Sequence, residues 1–330
     1  MGLRLSDRWL WDFWLARTGP DYHLFFLQAP RALGDPERRH WHVSVGHAVS
    51  QDLRSWTLLP DALRPSPEGS AAFDSYTTWT GSVIRHAGLW YLFYTGGRRD
   101  EEGKIQRVGL ATSTDLLRWD KHPANPLLTP DPTWYELLDL EHWHEQAWRD
   151  PYVIRHPTEE AFYALVTARA DHGPPDGRGV IGLARSEDLI GWQVLPPVTQ
   201  PGEFGHLEVP QWVALQGRYH LLFCVTGDME SERRRARSRR PPVTGTYVMS
   251  ADHPLGPFDV QEARLLVGDE IGSYYAGKLV QGPRGRWYFL AALMNGPQGD
   301  FVGELCDPFP VSVSSDGTLE VDVTDQGGNL

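Results

Sequence analysis

The stretch GHAVSQDLRSW, residues 46–56, joins a short apolar run to a Ser-x-Asp-Leu turn and ends in a tryptophan three residues after the leucine. The same pattern recurs twice almost unchanged and twice more loosely. The copies are GLATSTDLLRW (109–119), GLARSEDLIGW (182–192), TYVMSADHPLGPF (246–258) and VGELCDPFP (302–310). Such self-similarity along a chain is typical of repeat architectures, so we interpret these segments as five copies of one structural unit.

An aromatic and aliphatic run precedes each copy. These runs are YHLFFLQ (22–28), WYLFYTG (90–96), AFYALVTA (161–168), YHLLFCVTG (219–227) and WYFLAALMNG (287–296). Their residues suit the pleated surface of a strand, and no amphipathic helix of 10 to 15 residues separates them, which argues against βαβ units. A repeat of roughly 60 to 70 residues fits four-stranded blades with long loops. We therefore predict an all-β fold, a single five-bladed β-propeller over residues 1–330. A two-sheet sandwich would not explain a five-fold repeat.

Composition agrees with a turn-rich β protein. Hydrophobic residues make up 41% of the 330 residues, enough for a core, and the chain carries 33 glycines and 26 prolines. Gly and Pro at this density indicate many turns rather than long helices. Cys224 and Cys306 lie in apolar runs with no metal or disulfide spacing, so we expect buried thiols.

The net charge of the chain restricts the kinds of partner that it can bind. A net charge of -12 predicts no nucleic-acid partner and no anionic membrane surface, because either polyanion would be repelled. No run reaches the roughly 20 apolar residues of a membrane span, and the first residues lack a secretory pattern, so a cytoplasmic protein is expected. The basic run RRRARSRR, residues 233–240, is interpreted as a solvated, mobile loop rather than a phosphate site.

About ten positions before each aromatic run lies a matched residue, and in three of the five copies this residue is acidic. The residues at this offset are Asp12, Thr80, Asp150, Glu208 and Tyr275. The first strand of each propeller blade lines the central channel, so Asp12, Asp150 and Glu208 are predicted to face one another. Like charges in a confined site raise at least one pKa, which is how a site obtains a proton donor beside an ionised carboxylate.

The stretch WLWDFW, residues 9–14, surrounds Asp12 with aromatic side chains that suit stacking against sugar rings. Alternation along a strand turns some of these side chains inward. We therefore expect the wall of the site to come mainly from Trp9, Trp11, Trp14, Trp79 and Tyr275, with at least three of them bordering it.

These blocks resemble the five-bladed propeller glycoside hydrolases of families 32 and 68 (clan J), with family 43 more distant. WLWDFWL resembles the W-M-N-D-P-N-G nucleophile block through Asp12. The R-D-P block is intact at residues 149–151, and LEVPQ resembles the E-C acid/base block through Glu208. The resemblance implies Asp12 as nucleophile, Asp150 as a residue that accepts hydrogen bonds from sugar hydroxyls, and Glu208 as acid/base. It covers most of residues 5 to 310.

Weaker matches extend the resemblance. YHLFFLQ is similar to Y-H-L-F-Y-Q, HWHVSVGHAVSQDLRSW to W-G-H-A-x-S-x-D-L-x-x-W through Trp41 and His47, and TWTGS to F-S-G-S. The residues expected to bind substrate are Trp11, Gln28, Trp41, Trp79, Thr80, Arg149 and Tyr275. The departures are Trp11, Phe13 and Trp14 around the nucleophile and Val209 after the acid. We also expect no C-terminal β-sandwich of the kind usual in family 32, and these departures leave the preferred furanoside open.

The resemblance implies a retaining β-fructofuranosidase-like hydrolase or transferase acting on a saccharide, without a cofactor or catalytic metal. EHWHEQ, residues 141–146, fits no strong metal-ligand spacing. Two alternatives stay open at this point: an inverting, family 43-like arabinofuranosidase or xylosidase, and a non-catalytic sugar-binding propeller. The sequence does not indicate the oligomeric state, the sugar, the linkage or endo against exo action.

Overall fold

The computed structural model describes residues 2–238 and 240–324 as a β-propeller of five antiparallel sheets. Blade I comprises β1 (Arg8–Thr18), β2 (Asp21–Pro30), β3 (Ser44–Ser50) and β4 (Thr57–Leu63). Blade II comprises β5 (Thr77–His86), β6 (Leu89–Gly97), β7 (Gln106–Ser113) and β8 (Asp120–Lys121). Blade III comprises β9 (Trp148–Arg155), β10 (Phe162–Arg169), β11 (Gly179–Ser186) and β12 (Trp192–Leu195). The sequence prediction of an all-β, five-bladed propeller is confirmed.

Blade IV is also a four-stranded sheet, whereas blade V is less regular. Blade IV comprises β13 (Glu208–Leu215), β14 (Arg218–Val225), β15 (Thr244–Ala251) and β16 (Arg264–Asp269). Blade V comprises β17 (Tyr274–Gln281), β18 (Trp287–Asn295), β19 (Phe301–Leu305), β20 (Phe309–Val313) and β21 (Leu319–Val321). Both β19 and β20 pair with β18, so the third position of this blade is split between two short strands. This split explains why the fifth copy of the sequence repeat is the loosest.

The repeated Ser-x-Asp-Leu motif makes the turn from the third to the fourth strand in blades I to III. In blade I the Ser50 hydroxyl accepts from the Asp52 backbone N–H, and Asp52 accepts from the backbone N–H groups of Arg54 and Ser55. The leucine is buried and left-handed in all three copies, at Leu53 (φ 61°), Leu116 (φ 66°) and Leu189 (φ 69°). Side-chain caps of this kind satisfy turn N–H groups locally, which is why the motif recurs.

The first strands of the five blades form a closed ring around the channel, each contacting the next, with β17 returning to β1. Apolar clusters fill the spaces between blades, with residues such as Phe26, Trp148 and Phe223 almost fully buried. Cys224 and Cys306 are buried free thiols, as expected. Among the described residues there is no helix long and apolar enough to cross a membrane.

The interpretation of the basic run as a mobile loop was wrong for Arg233 to Arg237, whereas Arg239 lies outside the described residues. Residues Glu232–Arg237 form a short helix, α1, whose first turn is capped by the Ser231 hydroxyl. Three arginines of this segment surround the buried Glu203 carboxylate, namely Arg233, Arg234 and Arg237. The basic residues are therefore held by a buried carboxylate, which the sequence pattern did not reveal because Glu203 lies 30 residues before the run. The other described helices are 3-10 turns at Arg31–Leu33, Pro36–Trp41, Pro175–Gly177, Gly227–Met229, Val260–Glu262 and Pro283–Gly285.

Candidate active site

Every inner strand carries a β-bulge at the same end of the channel. The last regular pairs before the bulges are Trp11–Leu27, Trp79–Thr95, Arg149–Thr167, Glu208–Cys224 and Tyr275–Ala292. A bulge bends its strand and re-aims the side chains beside it, and bulges are enriched next to active sites. Three of the bulged residues are left-handed although they are not glycine: Asp150 (φ 56°), Val209 (φ 44°) and Ala276 (φ 53°).

The register corrects one part of the sequence alignment. Asp12, Thr80 and Asp150 are the bulged residues of their strands, but the bulged residues of β13 and β17 begin at Val209 and Ala276. Glu208 and Tyr275 therefore stand one position earlier in the repeat, at the level of Trp11, Trp79 and Arg149. Counting along the sequence could not detect a shift of one residue, because strand and loop lengths differ between blades.

A cavity of about 910 Å³ opens at this mouth of the channel, and Asp12, Asp150 and Glu208 all line it. The three carboxylates come from the inner strands of blades I, III and IV. Asp12 accepts a hydrogen bond of 2.8 Å from the Thr80 hydroxyl at its Oδ2 atom. Burial raises the pKa of Asp12, and the hydrogen bond from Thr80 acts in the opposite direction.

Asp150 lies deepest of the three, with 5% of its surface exposed. Its Oδ2 atom accepts from the Thr167 hydroxyl at 2.9 Å and from the Val209 backbone N–H at 3.1 Å. Burial raises the pKa of Asp150 to about 7, although the neighbouring Arg149 guanidinium favours the ionised form. Desolvation therefore outweighs the adjacent charge at this position.

Both oxygens of Glu208 have hydrogen-bond donors. Arg149 Nη2 donates to Oε1 at 2.6 Å, and the Tyr275 hydroxyl donates to Oε2. Burial, followed by the charge of Glu208, raises the pKa of Tyr275 well above its usual range, so the phenol keeps its proton. Glu208 is thus held between a permanent cation and a hydroxyl that can either donate or accept.

Arg149 is itself fixed by the loop that contains EHWHEQ. Its Nη1 atom donates to Glu145 Oε1 at 2.7 Å and to Gln106 Oε1 at 3.0 Å, and Nη2 lies 3.1 Å from His206 Nδ1. The Trp143 indole donates to His206 Nε2 at 3.1 Å. Burial and the charge of Arg149 hold the pKa of His206 well below its usual range, so this imidazole is neutral.

Sequence reasoning missed this second layer around Arg149. The EHWHEQ stretch, which has no strong metal-ligand spacing, instead supplies Glu145, which pairs with Arg149, and His144, which lines the cavity. No group of three or more metal-ligating side chains occurs in residues 2–238 and 240–324. His206 and Gln106 had no sequence signal, because each lies in a stretch with no recognisable motif. Arg39 and His40, from the Pro36–Trp41 turn, also line the cavity.

Most of the predicted aromatic and polar wall is in place. The cavity lining includes Trp11, Trp41, Trp79, Thr80, Arg149 and Tyr275. Trp41 stacks on Tyr76 with ring centroids 5.1 Å apart and keeps 37% of its surface exposed. Trp9 and Trp14 are not part of the lining; Trp9 packs against Phe301 and Trp14 stacks on Phe25. Three of the five expected aromatic residues therefore border the cavity.

Gln28 does not reach this cavity, contrary to the expectation of a sugar contact. Its amide nitrogen donates to Asp61 Oδ1 at 2.8 Å and to the Ser44 hydroxyl at 3.2 Å. The neighbouring Leu27 lines the cavity in its place. Successive residues of a strand point to opposite faces, so when Leu27 meets the cavity its neighbour Gln28 points away from it.

Solved structures with the same fold act on carbohydrates. A family 32 β-fructofuranosidase of Bombyx mori superposes with a TM-score of 0.71 at 21% identity, covering 97% of this chain and 64% of the other. An inulosucrase from Halalkalicoccus jeotgali bound to kestose superposes with a TM-score of 0.75 at 22% identity, covering 96% of this chain and 87% of the other. At these identities the likeness establishes the five-bladed fold.

The family follows from the sequence comparison. The family model for the glycosyl hydrolases family 32 N-terminal domain matches residues 15–301, so this chain belongs to that family. The match includes Asp150 and Glu208 and begins three residues after Asp12. Among curated relatives, a sucrose-6-phosphate hydrolase of Bacillus subtilis is 27% identical over 282 residues, which cover 82% of this chain and 51% of the relative.

A second curated relative is a β-fructofuranosidase, an insoluble isoenzyme of Arabidopsis thaliana. It is 33% identical over 180 residues, which cover 53% of this chain and 28% of the relative. The chain thus spans about half the length, or less, of the curated relatives it matches.

Proposed function

We propose that this chain is a retaining glycoside hydrolase or transferase that acts on a furanosyl unit, with β-fructofuranose as the leading candidate. The observation that carries the proposal is the arrangement of Asp12, Asp150 and Glu208 on three inner strands around one aromatic-walled cavity. Membership of family 32 supports the substrate class. We further propose that residues 1–330 act as one catalytic propeller.

In this proposal Asp12 attacks the anomeric carbon and forms a covalent glycosyl-enzyme intermediate. The hydrogen bond from Thr80 to one oxygen of Asp12 orients the carboxylate for this attack. Partial burial makes the carboxylate a stronger nucleophile because it is less solvated. Asp150, in the bulge of β9, accepts hydrogen bonds from ring hydroxyls that strengthen as oxocarbenium charge develops.

Glu208 protonates the departing glycosidic oxygen and then takes a proton from the incoming water. Its contact with Tyr275 suits both steps, because a phenol donates to an ionised carboxylate and accepts from a protonated one. The contact with Arg149 holds the other oxygen, Oε1, and so fixes the orientation of the carboxylate. Trp11, Trp79 and Tyr275 supply flat surfaces for the sugar, and Trp41 offers one at the rim.

A substrate screen tests the proposal. Sucrose, sucrose 6-phosphate, inulin, levan and aryl arabinofuranosides should be offered to wild-type protein and to the Asp12→Asn and Glu208→Gln variants, with product configuration followed by NMR. The proposal expects turnover of a fructoside with net retention, lost in Asp12→Asn. Net inversion on an arabinoside or xyloside would favour the family 43-like alternative, and binding without turnover of any substrate would favour a non-catalytic propeller.

The remaining expectations stay predictions. The net charge of -12 supports a saccharide rather than a nucleic acid or an anionic membrane as the partner. The cytoplasmic location rests on the sequence reasoning alone, and fractionation of expressing cells would test it.

A further inference from the structure

A buried lysine lies in the channel and has no part in the reaction proposed above. Lys278 follows Tyr275 by three residues on β17 and exposes 4% of its surface. Its Nζ atom donates to the Val209 carbonyl at 2.6 Å and to the Pro210 carbonyl at 3.4 Å. Among the described residues, no carboxylate oxygen lies within 4.0 Å of this ammonium.

An ammonium is costly to bury, and two carbonyl groups compensate for only part of its lost hydration. Both carbonyls belong to the β13 bulge, where Val209 is left-handed at φ 44°. A single cation therefore binds two successive carbonyls of the strained segment that directly follows Glu208. This geometry gives Lys278 a mechanical link to the strand that carries the proposed acid/base.

A second link, between Lys278 and the carboxylates of the site, is electrostatic. Three titratable groups raise the pKa of Lys278 against the effect of burial, which lowers it: Cys224, Asp150 and Asp12. In return, Lys278 and Arg39 both oppose the rise in the pKa of Asp12, while Glu208 adds to that rise. Asp12, Asp150, Glu208 and Glu145 bring four carboxylates into this region, and Arg149 is the cation that directly contacts three of them.

We propose that Lys278 is a positioning residue whose hydrogen bonds hold the β13 bulge that places Glu208 and whose ammonium brings a buried positive charge into the channel that Asp12 lines. This inference rests on the proposed function for its catalytic meaning, but the charge of Lys278 is a property of the protein that can be measured without turnover. The chain offers a simple system, because it contains three lysines, Lys104, Lys121 and Lys278.

The decisive experiment is a pair of titrations. Protein labelled with 15N at lysine Nζ shows by NMR whether Lys278 is an ammonium at pH 7, with the resonances assigned by single substitutions. Protein labelled with 13C at the aspartate carboxyl carbon reports the titration of Asp12 in wild type, Lys278→Met and Lys121→Met. Lys121 is a matched control, since its ammonium binds the buried Asp74 in blade II outside the active-site cavity.

The proposal expects a charged Lys278 at pH 7 and, in Lys278→Met, a rise of the Asp12 midpoint by about one pH unit. If wild-type protein turns over a furanoside, the acidic limb of kcat/KM should move by the same amount, while Lys121→Met leaves both unchanged. A neutral Lys278 at pH 7, or an unchanged Asp12 titration in Lys278→Met, would overturn it. If Lys278→Met does not fold, Lys278→Gln, which removes the charge but keeps a donor for the Val209 carbonyl, takes its place in the Asp12 titration. Absence of turnover in wild type would count against the proposed function and leave these titrations valid.

Discussion

Replacing Asp150 by asparagine should stabilise the protein above neutral pH, at the expense of any activity. Asp150 is buried and its pKa is raised to about 7, from 3.8 for an ordinary aspartate. Between these two values the folded state binds a proton that the unfolded chain has released. Wild-type stability therefore falls as the pH rises from about 4 to about 7, and asparagine removes this dependence.

The size of the expected gain in stability follows from the pKa shift of Asp150. A rise of about three pKa units corresponds to about 4 kcal/mol, since each unit is worth about 1.4 kcal/mol, and this is an upper value for the effect of one carboxyl. The asparagine oxygen can still accept from the Thr167 hydroxyl and the Val209 N–H, so the substitution keeps the local hydrogen bonds. The expected gain over wild type is about 1–4 kcal/mol at pH 8 and close to zero at pH 4.

Urea unfolding of both proteins at half-unit steps from pH 4 to pH 8 measures this difference. Asp52→Asn is the control of opposite sign. Burial alone would raise the pKa of Asp52. Backbone hydrogen bonds from Ser55 and Arg54 outweigh this effect and lower the pKa to about 2. Asp52 stabilises the fold above pH 4, and its contribution is lost only as the pH falls from about 4 toward 2, so Asp52→Asn should be less stable than wild type by a constant amount from pH 4 to pH 8. A stability difference between Asp150→Asn and wild type that does not change with pH would refute the reasoning.

Three further substitutions test other parts of the account. Glu208→Gln should slow turnover of substrates with poor leaving groups by about 10²–10⁴-fold and turnover of activated aryl glycosides far less. Azide should partly restore the rate. Equal losses on both classes in rate assays would argue against an acid/base role. Trp41→Ala should raise KM for oligosaccharides more than for sucrose, whereas Trp134→Ala, which removes a tryptophan of similar exposure (39%) outside the cavity, should leave both unchanged. Glu203→Gln should lower the free energy of unfolding by about 1–3 kcal/mol, because three arginines lose their buried partner; an unchanged urea midpoint would show that those ion pairs contribute nothing.

The sequence predicted the repeat well because its signal is local. In each turn the serine hydroxyl accepts a hydrogen bond from the aspartate backbone N–H, at Ser50, Ser113 and Ser186. This contact requires a serine and an aspartate at fixed spacing, so the motif recurs wherever that turn is kept. Blade V escapes this rule because two short strands share its third position.

The details of the site were less accessible from the sequence. Asp12, Asp150 and Glu208 were found because inner strands converge, but the one-residue offset of Glu208 depends on the pairing of β13 with β14. The side chain of Gln28 binds Asp61, a residue 33 positions away that no sequence pattern links to it. Contacts such as His206 with Arg149 join residues 57 positions apart and leave no periodic trace.

The claim that Asp12 is the nucleophile of a retaining enzyme can be tested by trapping. Glu208→Gln protein, incubated briefly with an activated β-fructofuranoside and quenched in acid, should be digested with trypsin and examined by mass spectrometry. Arg8 and Arg17 flank Asp12, so the relevant peptide is WLWDFWLAR. The account predicts that this peptide carries one fructosyl residue, with the ester on Asp12. A label on another peptide, or measurable turnover with no label on any peptide and an inverted product, would contradict it.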